Sequence, residues 1–198
     1  MKILHTLTMA LLALVLAAGA GPALAQWELD NERSSISFLS VKNSSIAEAH
    51  TFSSVVGFIG TDGKVQVGID LDSVQTLIDI RDERMRQLLF ETAKFPAANI
   101  TAQIDEGVLS AVIEGGTVTG DVPVTLSLHG FENELKAPVV VIGEAGGPIR
   151  VLSTRPIVIN AADFALEGGV AALQEIAGLA AISRAVPVSL HLVFTAVE

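Results

Sequence analysis

The block Asp70-Leu-Asp-Ser-Val-Gln-Thr-Leu-Ile-Asp-Ile80 runs directly into Arg81-Asp-Glu-Arg-Met-Arg-Gln-Leu-Leu-Phe90, and the period of its apolar residues changes on the way. Val65, Val67, Ile69 and Leu71 alternate with polar or small residues, the pattern of a half-buried strand. Leu77, Ile80, Met85, Leu88 and Leu89 then follow a helical spacing, which predicts a short amphipathic helix headed by Arg81 and Asp82. The helix is expected to stop at Phe95-Pro96, because proline cannot continue it and disfavours helical geometry in the residue before.

Outward from this handover the chain is mostly strand. Ile36 and Phe38 share a face, as do Phe52, Val56 and Phe58, and then Ile100, Ala102 and Ile104. A long run places Val118, Val122, Val124, Leu126 and Leu128 opposite Thr117, Thr119, Asp121, Pro123, Thr125 and Ser127. The C-terminal run sets Val186, Val188, Leu190, Leu192 and Phe194 against Ser189, His191 and Thr195. Turn signals separate the runs: Thr61-Asp62-Gly63, Asp105-Glu106-Gly107, Glu114-Gly115-Gly116 and His129-Gly130. One-sided alternation with short connections predicts an antiparallel sheet with one dry face, and roughly eight strands predict a barrel or sandwich. A second helix is expected over about Gly169 to Leu179, apolar enough to pack over a barrel opening. The fold class is therefore all-β with two short helices.

Composition narrows the function. Lys2, the apolar run Leu11 to Ala18 and the small-x-small sequence Ala23-Leu24-Ala25 predict a secretory signal peptide over residues 1–25, cleaved to leave one domain over 26–198. The chain has no cysteine, which removes disulfides and thiolate ligands. Its formal net charge of −10 and its lack of basic clusters argue against nucleic acid and against docking on anionic lipid by charge. An outer-membrane barrel would need aromatic girdles, yet the chain has no tyrosine and a single tryptophan, so no stable membrane insertion is expected.

No residue pattern makes a positive case for catalysis. His50, His129 and His191 show no metal-ligand spacing, and no serine lies in a nucleophile elbow. His191 falls on the wet face of its strand and His129 at a turn, whereas His50 has two readings, a surface histidine or one at a cavity mouth. Asp70 and Asp72 read as solvated edge residues rather than a general acid and base. Arg81 likewise has two readings: pairing with Asp79, Asp82 and Glu83 at a helix start, or contact with an anionic head group at a cavity rim.

Taken in order, several residues resemble the YceI family of exported bacterial proteins. They are Trp27-Glu28-Leu29-Asp30, Ser35-Ile36-Ser37-Phe38, Phe52 with Gly57, Val67-x-Ile69-x-Leu71-x-Ser73-Val74-x-Thr76, Arg81-Asp82, Phe95-Pro96, Leu126-x-Leu128-His129-Gly130 and Asp163-Phe164. The resemblance implies an extended, antiparallel, eight-stranded lipocalin-like barrel holding a polyisoprenoid lipid, either an isoprenoid quinone or a prenyl pyrophosphate. It also implies a periplasmic location, a homodimer in some members, and a functional link to b-type cytochromes. Such a carrier requires no catalytic residue, no metal and no cofactor beyond the bound lipid.

Phe38, Phe52, Phe58, Leu77, Ile80, Leu88, Phe90, Phe95, Leu126 and Phe164 are the expected lining residues, with His50 and Arg81 as head-group contacts at the rim. Two alternatives are an enzyme acting on a small apolar substrate in the same cavity and a filled-core structural or stress protein. The chain departs from the family pattern at Lys42-Asn43, at Ala49-His50 and at Ala165, all near the expected rim.

Overall fold

The computed structural model describes residues 27–197; the predicted signal peptide and its cleavage site lie outside them. The strands are β1 (Trp27–Leu29), β2 (Ser35–Lys42), β3 (Ile46–Phe52), β4 (Val55–Ile59), β5 (Lys64–Asp70), β6 (Val74–Gln75), β7 (Ala97–Gln103), β8 (Thr117–Leu128), β9 (Phe131–Ile142), β10 (Ile149–Ser153), β11 (Ile157–Asn160) and β12 (Ala185–Ala196). All pairings are antiparallel and belong to one sheet, which closes where β1 meets β12 through Trp27↔Ala196 and Leu29↔Phe194. The twelve strands join end to end into eight staves, β1 with β2, β3 with β4, β5 with β6, and β10 with β11, the others standing alone. The result is the predicted eight-stranded barrel, each stave paired with its neighbours in sequence.

The breaks in the first three staves lie side by side and hold one another. Asp30 accepts from the Arg33 N–H and caps the 3-10 turn Asn31–Arg33. The Asn31 side chain accepts from the Val55 N–H (2.8 Å) and donates to the Ser53 carbonyl (3.0 Å). Ser73, in the 3-10 turn Leu71–Ser73, accepts from the Ser53 N–H at its carbonyl and from the Ser54 N–H at its hydroxyl. Asn and Ser suit this task because their short side chains satisfy backbone groups that the interrupted ladder leaves without partners.

Three helices, not two, interrupt the sheet. The predicted helix after Ile80 forms as α1 (Asp79–Arg84), which widens into a π-helical segment, Met85–Phe90. It ends sooner than expected, at Glu91 in left-handed geometry, rather than running to Pro96. Thr92 fixes that exit: its N–H donates to the Arg86 carbonyl and its hydroxyl to Asp72, 2.6 Å away. The second predicted helix also forms, over Glu167–Ile176 (α3), and it starts and stops slightly before the expected bounds.

The helix missed by the sequence reading is α2 (Glu106–Ile113). Asp105, read as a turn residue, is its N-cap and accepts from the Gly107 and Val108 N–H groups, while Leu109 and Val112 are buried one turn apart. The helix seats against the end of β9: a Cβ on Gly143 would lie 1.6 Å from the Val112 carbonyl oxygen. At the other end of the barrel α3 also approaches the π segment closely, where a Cβ on Gly169 would lie 2.5 Å from the Leu88 carbonyl oxygen. Two glycines thus set how near the end-closing helices come.

Candidate functional site

The barrel encloses a cavity of about 320 Å³. Its wall is built from the inward parity of every stave, for example Val67 and Ile69 on β5, Ala98, Ile100 and Ala102 on β7, and Val122, Val124 and Leu126 on β8. Val118 and Leu128 both line it, so it follows β8 for ~33 Å of strand at the usual rise per residue. Val108, Leu109 and Val112 of α2 close one end, and Leu89, Phe90, Leu166 and Val170 close the other. No lining residue carries a polar side chain. An interior of this kind offers no hydrogen bond to a guest and excludes water, since buried polar groups without partners are costly and apolar cavities stay dry.

Of the expected lining residues, Phe38, Phe52, Phe90 and Leu126 face the cavity. Phe38 and Phe52 contact each other, ring centroids 5.4 Å apart, and Phe52 reaches Phe90 at 6.0 Å. The other six do not face it, each for a local reason. Phe58 was grouped with Phe52 by alternation, but the break at Ser53–Ser54 reverses parity, so Val55 and Ile59 turn inward while Val56 and Phe58 turn out. Leu77 stands in left-handed geometry (φ 63°) and is 94 % exposed. Ile80, on the outer side of α1, is 52 % exposed. The π segment rotates Leu88 away and brings Leu89 and Phe90 to the cavity instead.

Phe95 lies outside the wall and packs on His129, centroids 4.5 Å apart. Phe164 is fully buried but belongs to solid packing under the 3-10 turn Ala161–Phe164, where its carbonyl accepts from His129 Nδ1 (3.2 Å). Ala165 ends that turn with φ 52° and bears the strain a glycine would avoid. The α2 residues that close one end were beyond the sequence reading because the helix itself was; the capping aspartate followed by Val108, Leu109 and Val112 was the available signal.

The expected rim residues meet, in a polar cluster adjoining the cavity. Cross-strand partners share a face, and Phe38 pairs with His50, so His50 lies on the inward face of β3 with its ring 5.2 Å from that of Phe38. Further along the β2–β3 hairpin the same face turns polar with Ser40, Glu48 and Lys42. The Glu48 carboxylate receives Lys42 Nζ at 2.8 Å and Arg81 Nη1 at 2.7 Å. Arg81 Nη2 donates to the Thr76 carbonyl (2.6 Å), and Asp82 accepts from both the N–H and the hydroxyl of Thr76. The two readings of Arg81 left open by the sequence thus narrow: its ionic partner is Glu48 on β3, and Asp82 serves Thr76.

His50 is 3 % exposed and its Nε2 bonds the Ser40 hydroxyl (2.8 Å). Its Nδ1 and the Arg81 Nε are buried without partners. Burial, reinforced by the Arg81 charge, holds the His50 pKa below its ordinary value and keeps the ring neutral. The Lys42 and Arg81 contacts hold the Glu48 carboxyl below the usual carboxylate range. Among the described residues, no three His, Cys, Asp or Glu side chains converge as a metal site would require.

A pH dependence follows. The unfolded chain protonates His50 near its ordinary pKa while the folded chain resists it, so protons favour the unfolded state as pH falls through that range. Stability measured by denaturant unfolding is expected to decline from about pH 6.5 downward, and His50→Gln is expected to flatten the decline near pH 6. Glu48 adds a further loss, in the same direction, below its ordinary carboxylate pKa.

A closed antiparallel barrel with a dry interior and a polar cluster at one end is a lipocalin-like architecture. The chain belongs to the YceI-like domain family, whose model matches residues 27–194. A polyisoprenoid binding domain from Saccharophagus degradans, implicated in plant cell wall breakdown, is 37% identical, with a TM-score of 0.83 over 88% of this chain and 99% of that one. Burkholderia cenocepacia BcnA shares the fold at 16% identity (TM-score 0.60, 83% of this chain and 98% of that one). So does a Campylobacter jejuni YceI protein at 19% identity (TM-score 0.55, 75% and 84%). A search of curated proteins finds no match.

Proposed function

We propose that this protein is a periplasmic carrier that holds a polyisoprenoid lipid in the barrel, without catalysing a reaction on it. The observation that carries the reading is the unbroken apolar lining from α2 to α3. An isoprenoid chain has no hydrogen-bonding groups along its length, so it loses nothing to such a wall, and each buried methylene contributes about 0.8 kcal/mol before ordering costs. The similarity to a polyisoprenoid binding domain at 37% identity supports the same guest class. The predicted leader over residues 1–25 supports export.

The polar cluster supports an uncharged head. Lys42 and Arg81 already share Glu48, and His50 is neutral, so the cluster offers at most one uncompensated cation beside its single buried nitrogens. A quinone carbonyl suits those groups better than a diphosphate, which would need several unpaired cations. The reading of an enzyme in the same cavity has no acid–base pair among the lining residues to support it.

Protein purified from its native host and extracted with organic solvent is expected to release an isoprenoid quinone, identified by mass spectrometry. Recovery of no isoprenoid from folded protein would count against the carrier role.

A further inference from the structure

We propose that the end of the barrel formed by the β2–β3 hairpin and the β6–α1 loop docks reversibly on a lipid bilayer of uncharged or zwitterionic headgroups. Strand register places a row of outward apolar residues across adjacent staves there. Val158 on β11 pairs with Pro187 on β12, Pro187 is the neighbour of Leu39 on β2, and Leu39 pairs with Ala49 on β3. The row ends at Leu77, two residues beyond Gln75, the partner of Thr51. Val158 is 52 % exposed, Ala49 is exposed and Leu77 is almost wholly so. The next row toward the middle of the barrel is polar: Ser189, Ser37, Thr51 and Gln75. Single exposed apolar residues are ordinary on protein surfaces, but a contiguous row bounded by a polar one marks a contact surface.

Three features choose the bilayer as occupant. First, the apolar surface turns a corner. Leu39 and Ala49 face outward from the wall, whereas Ile46, at the hairpin tip, shares the inward parity of Lys42; Ile78 and Ile80, at the start of α1, are exposed as Ile46 is. A convex edge with apolar residues on both sides sinks into a soft medium, while a second folded chain could cover only one side. Second, this end carries no basic patch to await an anionic partner: Lys42 and Arg81 are paired with Glu48, Arg184 faces Glu167, and the exposed Asp79 stands between Ile78 and Ile80. Third, the surface adjoins the polar cluster at the cavity end, where a water-insoluble guest would pass between membrane and barrel; this purpose rests on the carrier reading, although the surface itself does not.

The loop also holds Leu77 out by construction. Asp82 binds the Thr76 N–H and hydroxyl and Arg81 binds the Thr76 carbonyl, fixing the residue before the left-handed Leu77. A bulky apolar residue kept in that geometry and in solvent is costly twice over, and such local cost is retained where it serves contact.

The test is co-flotation of protein from the periplasmic fraction with phosphatidylcholine vesicles, comparing the natural chain with the triple variant Leu39→Ser, Leu77→Ser, Ile80→Ser. These side chains lie outside the core, and a second variant, Val158→Ser, probes a stave distant from the loop. The natural chain is expected to float, with little effect of salt. The triple variant is expected to bind at least about tenfold more weakly, given the apolar area removed, and to retain its extracted lipid. A natural chain that stays at the bottom of the gradient overturns the proposal, while lipid recovered from the same sample leaves the carrier reading standing. Flotation unchanged in both variants overturns it, as does flotation that requires anionic lipid and is reversed by salt. Sedimentation showing a dimer that the triple variant dissociates, with no effect on flotation, assigns the surface to a second copy and overturns it as well.

Discussion

Gly143→Val is expected to be the most damaging single substitution in the barrel. Even a methyl group there would lie 1.6 Å from the carbonyl oxygen of Val112, which is backbone and cannot rotate aside. Either α2 lifts off the end of β9 or the ladder joining Ile142 of β9 to Thr117 of β8 gives way. Lifting α2 would expose Leu109 and Val112, both buried, and open that end of the cavity to water. A loss of at least about 4 kcal/mol is expected, in the range reserved for gross steric conflict in a packed site. Urea unfolding of the variant would measure it. A change below 1 kcal/mol would mean that α2 is not seated as described.

The largest effect on binding is expected from Ala102→Trp. Ala102 lines the cavity on β7, paired with Val124 near the middle of β8, so an indole there projects into the channel midway between its two closed ends. The substitution fills space rather than crowding a packed core, and stability is expected to change little or to rise. Excluding the equivalent of four methylene groups forgoes ~3 kcal/mol, so retention of an isoprenoid is expected to fall by at least about a hundredfold. Extraction and mass spectrometry of the folded variant would show it. A full complement of lipid in Ala102→Trp would place the guest outside the barrel.

The fold was legible in the sequence where one physical signal acted alone. Along β8, and along β12 as far as Leu192, alternation continues unbroken, and there the faces, the pairing type and the inward residues all follow from period two. Alternation failed at Phe58, because parity does not survive the Ser53–Ser54 bend. That bend is specified by Asn31 and Ser73, which are distant in sequence.

Helical spacing failed at Leu77 and Leu88 for a related reason. One residue lies in a loop fixed by Asp82 and Arg81, the other in a π segment whose wider turn shifts each side chain off the α-helical stripe. The polar cluster was half legible. His50 could be placed at a cavity mouth, but Glu48 as the partner of Arg81 required the contact between β3 and α1, which are distant in sequence.

The seam of the barrel has a consequence for how the chain comes to be folded. Trp27, Glu28 and Leu29 pair with the last strand, at Ala196, Thr195 and Phe194, and every other stave joins its neighbour in sequence. The eight staves can therefore assemble through seven pairings between sequence neighbours, but the ring cannot shut until β12 has travelled back to β1 and β2. Contacts between residues so distant are the slow ones to form. Until then the lining of the cavity is a curved sheet open to water, prone to stick to other apolar surfaces. A chain built this way stays unclosed until its first and last strands meet and acquires its interior in that one step.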